Sequence, residues 1–262
     1  MNTGQQGLAV VTGGASGIGE AAVRRFAAAD YRVLIADVNA ERGQAITQEL
    51  RKAGAEVDFH TVDVSSEEDV DAFALQVQER HGVPDALVNS GGILQNAVRV
   101  LDLDIGEVDR IYDINVRGTV LMSRAFGRAM CEVGRGAIVN LCSLTTFRAS
   151  AQVGYAISKA GIKTLTELSA AEFGARGVRV NAVAPGYTLT PAMQARIDSG
   201  QRNPQAVYDQ SAIPRFVQPS EVADAIWFLC SPQAAAITGV TLPVDCGWLV
   251  RSAYLAYASK PA

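Results

Sequence analysis

Two side chains that could exchange a proton stand one helical turn apart: Tyr155 and Lys159, within GYAISKAG. Positions i and i+4 share a helix face, so the ammonium can lie under the phenol. A free phenol, with a pKa of about 10, is a poor base near neutrality. A neighbouring cation favours the phenolate. Tyr155 would then serve as general acid and base for an alcohol and its ketone. Ser143 closes the stretch NLCS, 12 residues before Tyr155, and its hydroxyl could reach the same substrate oxygen. Seven tyrosines and four lysines in 262 residues yield such a pair by chance roughly 0.1 times per chain. Its place just after an apolar, strand-like run therefore carries the assignment more than the spacing does.

A second group of residues suits a pyrophosphate. The run LAVVT leads into GGASGIG, and helical residues EAAVRRFAAA follow. Gly13, Gly17 and Gly19 would allow a tight turn, close approach of an anion and close packing of helix on strand, while the helix amino end offers free N–H groups. The order is TGxxxGxG rather than GxGxxG. Asp37 stands 18 positions after Gly19, at the end of the second apolar run. It would accept hydrogen bonds from the adenosine ribose and repel a 2′-phosphate, which selects NAD(H) over NADP(H). Ser16 and Val38, the near neighbours of that position, carry no charge; Arg42 is the one cation placed to hold an extra phosphate.

These residues need elements to hold them. Apolar, β-branched runs at Leu8–Thr12, Arg32–Ala36, Val57–Val62, Ala86–Val88, Ala137–Leu141, Arg179–Val183 and Val240–Val244 predict seven strands covered on both faces. Between them, residues 17–29, 40–53, 66–80, 104–131, 152–175 and 220–230 have the apolar spacing of helices. Ser65 with Glu68, and Asp104 with Glu107, are expected to cap two of these. Alternating strand and helix implies an α/β fold, a doubly wound parallel sheet of about seven strands with helices on both faces. Residues 1–262 read as one dinucleotide-binding catalytic domain, with no linker. Residues 186–219, with four prolines, follow the sixth strand and read as a substrate lid; residues 248–262 form a tail.

Composition narrows the partners. With 48% hydrophobic and 19% charged residues the chain is expected to be compact. A net charge of -4, with scattered cations, gives no footprint for nucleic acid or for an anionic membrane. No apolar run reaches the length of a membrane span, and with no basic and apolar stretch at the amino terminus an export signal is not expected. Cys131, Cys142, Cys230 and Cys246 form no CxxC pair and read as reduced core or site-lining residues, which suits the cytoplasm. His60 and His81 stand 21 positions apart without ligand-spaced partners, so no metal site is expected.

Over nearly its whole length the sequence resembles the short-chain dehydrogenase/reductase family in its compact, Rossmann-type form. The family's TGxxxGxG is matched by Thr12, Gly13, Gly17 and Gly19, and its catalytic Ser, Tyr and Lys by Ser143, Tyr155 and Lys159. Asn115, in YDINVRG, matches its fourth catalytic residue. The resemblance places Ser16, Ile18, Asp63, Val64, Asn89, Gly91, Pro185, Gly186 and Thr188 at the cofactor, together with Asp37, Tyr155 and Lys159. It implies hydride transfer between a carbinol carbon and nicotinamide C4. Tyr155 would move the proton, Ser143 would bond the oxygen, Lys159 would hold the nicotinamide ribose, and Asn115 would anchor a water. Two motifs depart from the pattern. Asn89, Ser90, Gly91, Gly92 stands for NNAG, which should loosen that turn, and Asp245, Cys246, Gly247 stands for DGG.

Leu144, Thr145, Phe147, Gln152, Tyr187, Met193 and residues 188–215 are the expected substrate surroundings, a mixed polar and apolar set. SRAFGRAM, GAIVNL and RGVRVNAVAPGY are similar to NAD-dependent polyol and sugar-alcohol dehydrogenases of the family. The expected substrate is a small alcohol or ketone, polyol or sugar-derived. A 3-oxoacyl thioester reductase is the alternative enzyme, disfavoured by Asp37 and the acidic balance; a non-catalytic NAD(H) sensor is the alternative of another class. Small residues at Ala156, Ala160 and Thr164, with the family's use of that helix and of residues 107–131, imply a homotetramer. Tyr254 and Tyr257 are placed to cover a neighbouring subunit's site.

Overall fold

A computed structural model describes residues 6–256. Its seven strands are β1 (Leu8–Thr12), β2 (Arg32–Asp37), β3 (Val57–Thr61), β4 (Ala86–Asn89), β5 (Gly136–Leu141), β6 (Val178–Pro185) and β7 (Thr241–Val244). They form one sheet in the order β3-β2-β1-β4-β5-β6-β7. Every pairing is parallel. All five residues of β1 are buried, and so are all four of β4, as expected where helices cover both faces. The strand order reverses between β1 and β4. The crevice outside the carboxyl ends at such a switch point is where open α/β sheets bind ligands.

Helices α1 (Gly17–Ala27), α2 (Ala40–Lys52) and α9 (Pro219–Cys230) cover one face, with Val23, Phe26, Ile46, Ile226 and Leu229 packed on Val11, Ile35 and Val139. Helices α3 (Glu67–His81), α5 (Gly118–Val133) and α6 (Val153–Phe173) cover the other, where Val70, Phe73, Met122 and Phe126 pack on Val10, Leu34 and Ile138. Each fully buried side chain of this size is worth about 1.5–3 kcal/mol, so the two layers fix the strand ends against one another.

Helix starts follow local chemistry with one correction. Helix α3 is capped by Ser66, whose hydroxyl accepts from Asp69 N at 3.2 Å. Ser65, the expected cap, instead donates its hydroxyl to Asp63 Oδ1 at 2.6 Å. Asp104 does cap its helix, accepting from Gly106 N at 2.9 Å. The helix expected over 104–131 is three pieces: α4 (Ile105–Ile111), a wider π-helical turn over Tyr112–Arg117, and α5. Residues 186–219 are not a bare loop. They fold into α7 (Pro191–Asp198) and α8 (Pro204–Tyr208), each opened by a proline at its first turn, where no N–H is needed. Helix α10 (Trp248–Leu255) ends the described chain, and Tyr257 lies outside the described residues. Among the described residues no helix is long and apolar enough to cross a membrane.

Candidate active site

One cleft of about 1000 Å³ opens over the carboxyl ends of the strands. Its first wall is the turn after β1. Gly13 adopts φ +62°, and a Cβ there would lie 2.7 Å from Gly91 Cα, so the turn and the loop after β4 touch backbone to backbone. A Cβ on Gly19 would overlap the Gly13 carbonyl oxygen, which brings the start of α1 hard against the turn. The turn after β4 is pinned rather than loose. Thr12 Oγ1 accepts from Ser90 N at 3.1 Å and Gly91 N at 3.0 Å, and so ties the ends of β1 and β4 together.

Asp37 closes the far end of this wall. Its carboxylate accepts from Ala15 N at 3.0 Å and Asn39 N at 2.9 Å, which fixes its direction. Arg42, the cation that could have offset Asp37, is committed elsewhere: its guanidinium bonds Glu20 Oε2 at 2.9 Å. This wall suits a dinucleotide. The glycines clear a cradle that any Cβ would fill, and an oriented carboxylate stands where ribose hydroxyls would lie.

The opposite wall carries the proton chemistry. Tyr155 and Lys159 rise from the first two turns of α6, and the ammonium Nζ sits 5.5 Å from the centre of the Tyr155 ring. Lys159 is 5% exposed and donates to Leu141 O, at the end of β5, over 2.7 Å. Burial pushes its amino group down to about 8. The Tyr155 ring is half-buried, yet desolvation of its hydroxyl pushes the phenol up to about 12, opposed by a hydrogen bond with Ser143. Loss of water is thus the dominant influence on the phenol, ahead of the Ser143 hydroxyl. Ser143 follows β5 and starts a short turn, its Oγ accepting from Thr145 N at 3.3 Å.

Asn115 lies in the π-helical turn, 0% exposed. Its Oδ1 accepts from Ile93 N at 2.8 Å, and its Nδ2 donates to Ile93 O at 3.0 Å and Ser158 Oγ at 3.1 Å. The side chain thus fastens the loop after β4 to α6, with both amide hydrogens committed and one acceptor site left on Oδ1. A Cβ at Gly92 would meet Asn115 Oδ1 at 3.0 Å and Lys159 Nζ at 3.7 Å, so a glycine here lets three elements converge. A wider turn of this kind is often found at functional sites.

Gly13, Ser16, Gly17, Ile18, Gly19, Asp37, Asp63, Val64, Gly91, Ser143, Tyr155, Lys159, Pro185, Gly186 and Thr188 all line the cleft. Two predicted residues do not. Asn115 stands behind the wall, as described, and Asn89 turns its side chain into the core, donating to Asn140 Oδ1 at 2.9 Å and Ser123 Oγ at 3.0 Å. Successive strand residues face alternate helix layers, and Asn89 faces the one that carries α5. Of the substrate candidates Leu144, Thr145, Gln152, Tyr187 and Met193 line the cleft; Phe147 is 41% exposed and lies outside it. Sequence reasoning missed Gln95, which is 1% exposed and whose Oε1 accepts from Tyr155 N at 3.3 Å. It also missed Arg148 and Trp248, and it covered Arg196 and Arg202 only as part of residues 188–215, without singling them out. No periodicity marks them; they meet only through the lid and the tail. Among the described residues no three His, Cys, Asp or Glu side chains cluster to hold a metal ion.

Fold and cleft together define a nicotinamide-dependent oxidoreductase acting on alcohols and ketones. A family profile described as enoyl-(acyl carrier protein) reductase matches residues 13–249. Galactitol 2-dehydrogenase of Rhizobium johnstonii is 37% identical over 92% of this chain and 94% of that protein. D-threitol dehydrogenase of Mycolicibacterium smegmatis is 38% identical over 93% of each. A solved structure described as ElxO with NADP bound superposes with a TM-score of 0.90 at 28% identity, covering 94% of this chain and 100% of that one. The chain belongs to the short-chain dehydrogenase/reductase family.

Proposed function

We propose that this protein is an NAD(H)-dependent dehydrogenase interconverting a secondary alcohol and a ketone, on a small polyol or sugar-derived substrate. The observation that carries the reading is the convergence of Ser143, Tyr155 and Lys159 on the wall facing the Gly13–Gly19 cradle. The polyol class rests on the similarity to galactitol and threitol dehydrogenases. The NAD preference rests on Asp37, fixed by two backbone donors, and on the Arg42–Glu20 pair that removes the nearest cation. The solved relative with NADP bound makes this preference the part most in need of measurement.

Gly13, Ser16, Gly17, Ile18 and Gly19 would hold the pyrophosphate, Asp37 the adenosine ribose, Asp63 and Val64 the adenine, and Pro185, Gly186 and Thr188 the nicotinamide end. When bound, the nicotinamide supplies the hydride acceptor for oxidation or the hydride donor for reduction. Tyr155 takes the alcohol proton or returns it to the ketone oxygen. Ser143 donates a hydrogen bond to that same oxygen. Lys159, charged below pH of about 8, places a cation beside the phenol and supports the phenolate when the proton leaves. Gln95 and Asn115 are positioning residues that fix the first turns of α6. The chain acts as one catalytic domain, with α7 and α8 as the lid.

The subunit arrangement is part of the proposal: a homotetramer packed partly through α6. Its outward stripe runs Ile157, Ala160, Thr164, Leu168; Ile157 is 59% and Leu168 64% exposed. Small residues between two large apolar ones let a partner helix approach closely.

The test is a reduction screen of NAD⁺ beside NADP⁺ over sugar alcohols, vicinal diols and hydroxy acids, run with Tyr155→Phe. We expect turnover with NAD⁺ favoured, and a loss of at least about 10²–10⁴-fold in kcat in the variant with NADH affinity retained. Comparable turnover in Tyr155→Phe would remove the assigned role. Cofactor binding without turnover on any substrate would favour the sensor.

A further inference from the structure

The substrate half of the cleft holds more positive charge than alcohol chemistry requires. Arg148, after β5, and Arg196 and Arg202, in the segment between β6 and α9, line the same cavity. Two aromatic rings hold two of them. The Arg202 guanidinium lies 5.1 Å from the centre of the Tyr187 ring, Arg148 lies 5.3 Å from that of Trp248, and the two rings meet edge to face at 5.6 Å. Arg196 donates to Asn96 Oδ1 at 3.0 Å, and Arg148 to the Ser252 hydroxyl.

No carboxylate answers these charges. Among the described residues none of the three arginines forms an ion pair. The acids that line the cavity, Asp37 and Asp63, follow β2 and β3, beyond β1 from the catalytic wall. Arg202 Nε is moreover buried with no hydrogen-bond partner. A buried donor left unpaired costs about 1–3 kcal/mol, more in a charged group, a cost that an arriving acceptor relieves. Unpaired guanidinium groups in a low-dielectric cleft focus a field that attracts an anion. A planar carboxylate matches the guanidinium fork and neutralises it, whereas a polyol hydroxyl can accept from Nε but leaves the field unanswered.

We infer that Arg148, Arg196 and Arg202 form an anion subsite for the substrate, and that the substrate is a polyhydroxylated carboxylic acid of the aldonate class rather than a neutral alditol. The inference rests on the dehydrogenase reading for its reaction but has its own binding readout. Cation–π contacts with Tyr187 and Trp248 hold Arg202 and Arg148 without neutralising them, so the carboxylate end is anchored while a carbinol further along the chain reaches Tyr155 and Ser143.

The experiment compares C4–C6 aldonates with alditols of equal length in the wild type, Arg202→Gln, Arg196→Gln and Arg202→Lys. In parallel, calorimetry on the NADH-loaded protein uses succinate, succinamide and inorganic phosphate. We expect the wild type to favour aldonates, and the aldonate-to-alditol ratio of kcat/KM to fall about 30-fold or more in Arg202→Gln, chiefly through KM, because a charged partner is lost. Arg202→Lys should recover part of that ratio. Succinate should bind where succinamide does not, and lose that affinity in both Gln variants, while the NADH dissociation constant, the folding control, stays put. Equal use of alditols and aldonates, with a ratio unmoved in Arg202→Gln, would overturn the subsite. So would succinate binding that neither Gln variant weakens. Inorganic phosphate binding more tightly than succinate, with sugar phosphates turned over in preference, would overturn the carboxylate assignment. If no substrate of any kind is turned over, the dehydrogenase reading fails and the succinate titration alone upholds or overturns the anion site.

Discussion

Lys159 holds a charge where water has been removed, and that fact has a thermodynamic signature. Its amino group is pushed down by burial from the ordinary 10.5 to about 8. Between those two values the unfolded chain binds more protons than the folded one, so stability rises with pH across that window. Below pH of about 8 the penalty is present in full; above about 10.5 it is gone. Relative to Lys159→Met, the wild type should therefore gain about 3 kcal/mol between pH 8 and 10.5. Denaturant unfolding of both proteins across that range measures the difference, and parallel pH curves would show that the ammonium is solvated. Tyr155 works in the opposite sense. Its phenol is raised to about 12, so its contribution is present below about 10 and lost above, which is why the comparison with a Lys159 variant is needed to isolate the lysine. Cys142, which lines the cleft and is pushed up to about 11 by burial, stays a thiol at neutral pH and is a poor nucleophile.

At the scale of elements, the cleft depends on how closely backbone segments approach. Helix α1 can start against the turn only because Gly19 has no Cβ to meet the Gly13 carbonyl. Gly19→Ala should push α1 outward and cost about 2–4 kcal/mol, an overpacking with no flexible side chain to give way. Chemical denaturation measures that loss, and cofactor titration of the folded fraction should show weakened binding. An unchanged denaturation midpoint would mean that the turn has slack the contacts do not reveal. The π-helical turn between α4 and α5 works in the same way. It inserts the width that lets Asn115 reach both Ile93 and Ser158, and so links the loop after β4 to the helix that bears Tyr155. This turn was not legible in the sequence. The apolar spacing over 104–131 reads as one uninterrupted helix, because a single extra residue in one turn barely disturbs a 3.6-residue period. The start of α3 slipped by one for a related reason: Ser65 and Ser66 both suit a cap, and only the competing bond from Ser65 to Asp63 decides between them.

For the whole molecule, the exposed apolar stripe of α6 argues for assembly, since a monomer would leave Ile157 and Leu168 facing water. Sedimentation at micromolar concentration should give a species of four 27.7 kDa chains, and Leu168→Asp should shift it to smaller ones. A monomeric wild type would remove the proposal.

The sequence by itself determined what short-range pattern can carry. Strand and helix alternation gave the parallel sheet, the TGxxxGxG order gave the cradle, and the four-residue step from Tyr155 to Lys159 gave a shared helix face. Tertiary structure alone decided which side of a buried strand Asn89 faces, that Arg42 is spent on Glu20, and that desolvation lifts the Tyr155 phenol. It also brought Arg148, Arg196 and Arg202 to one cavity from segments up to 54 positions apart in the chain. Periodicity and spacing report the local backbone, whereas charge pairing, burial and cavity lining depend on neighbours that only the packed sheet brings together.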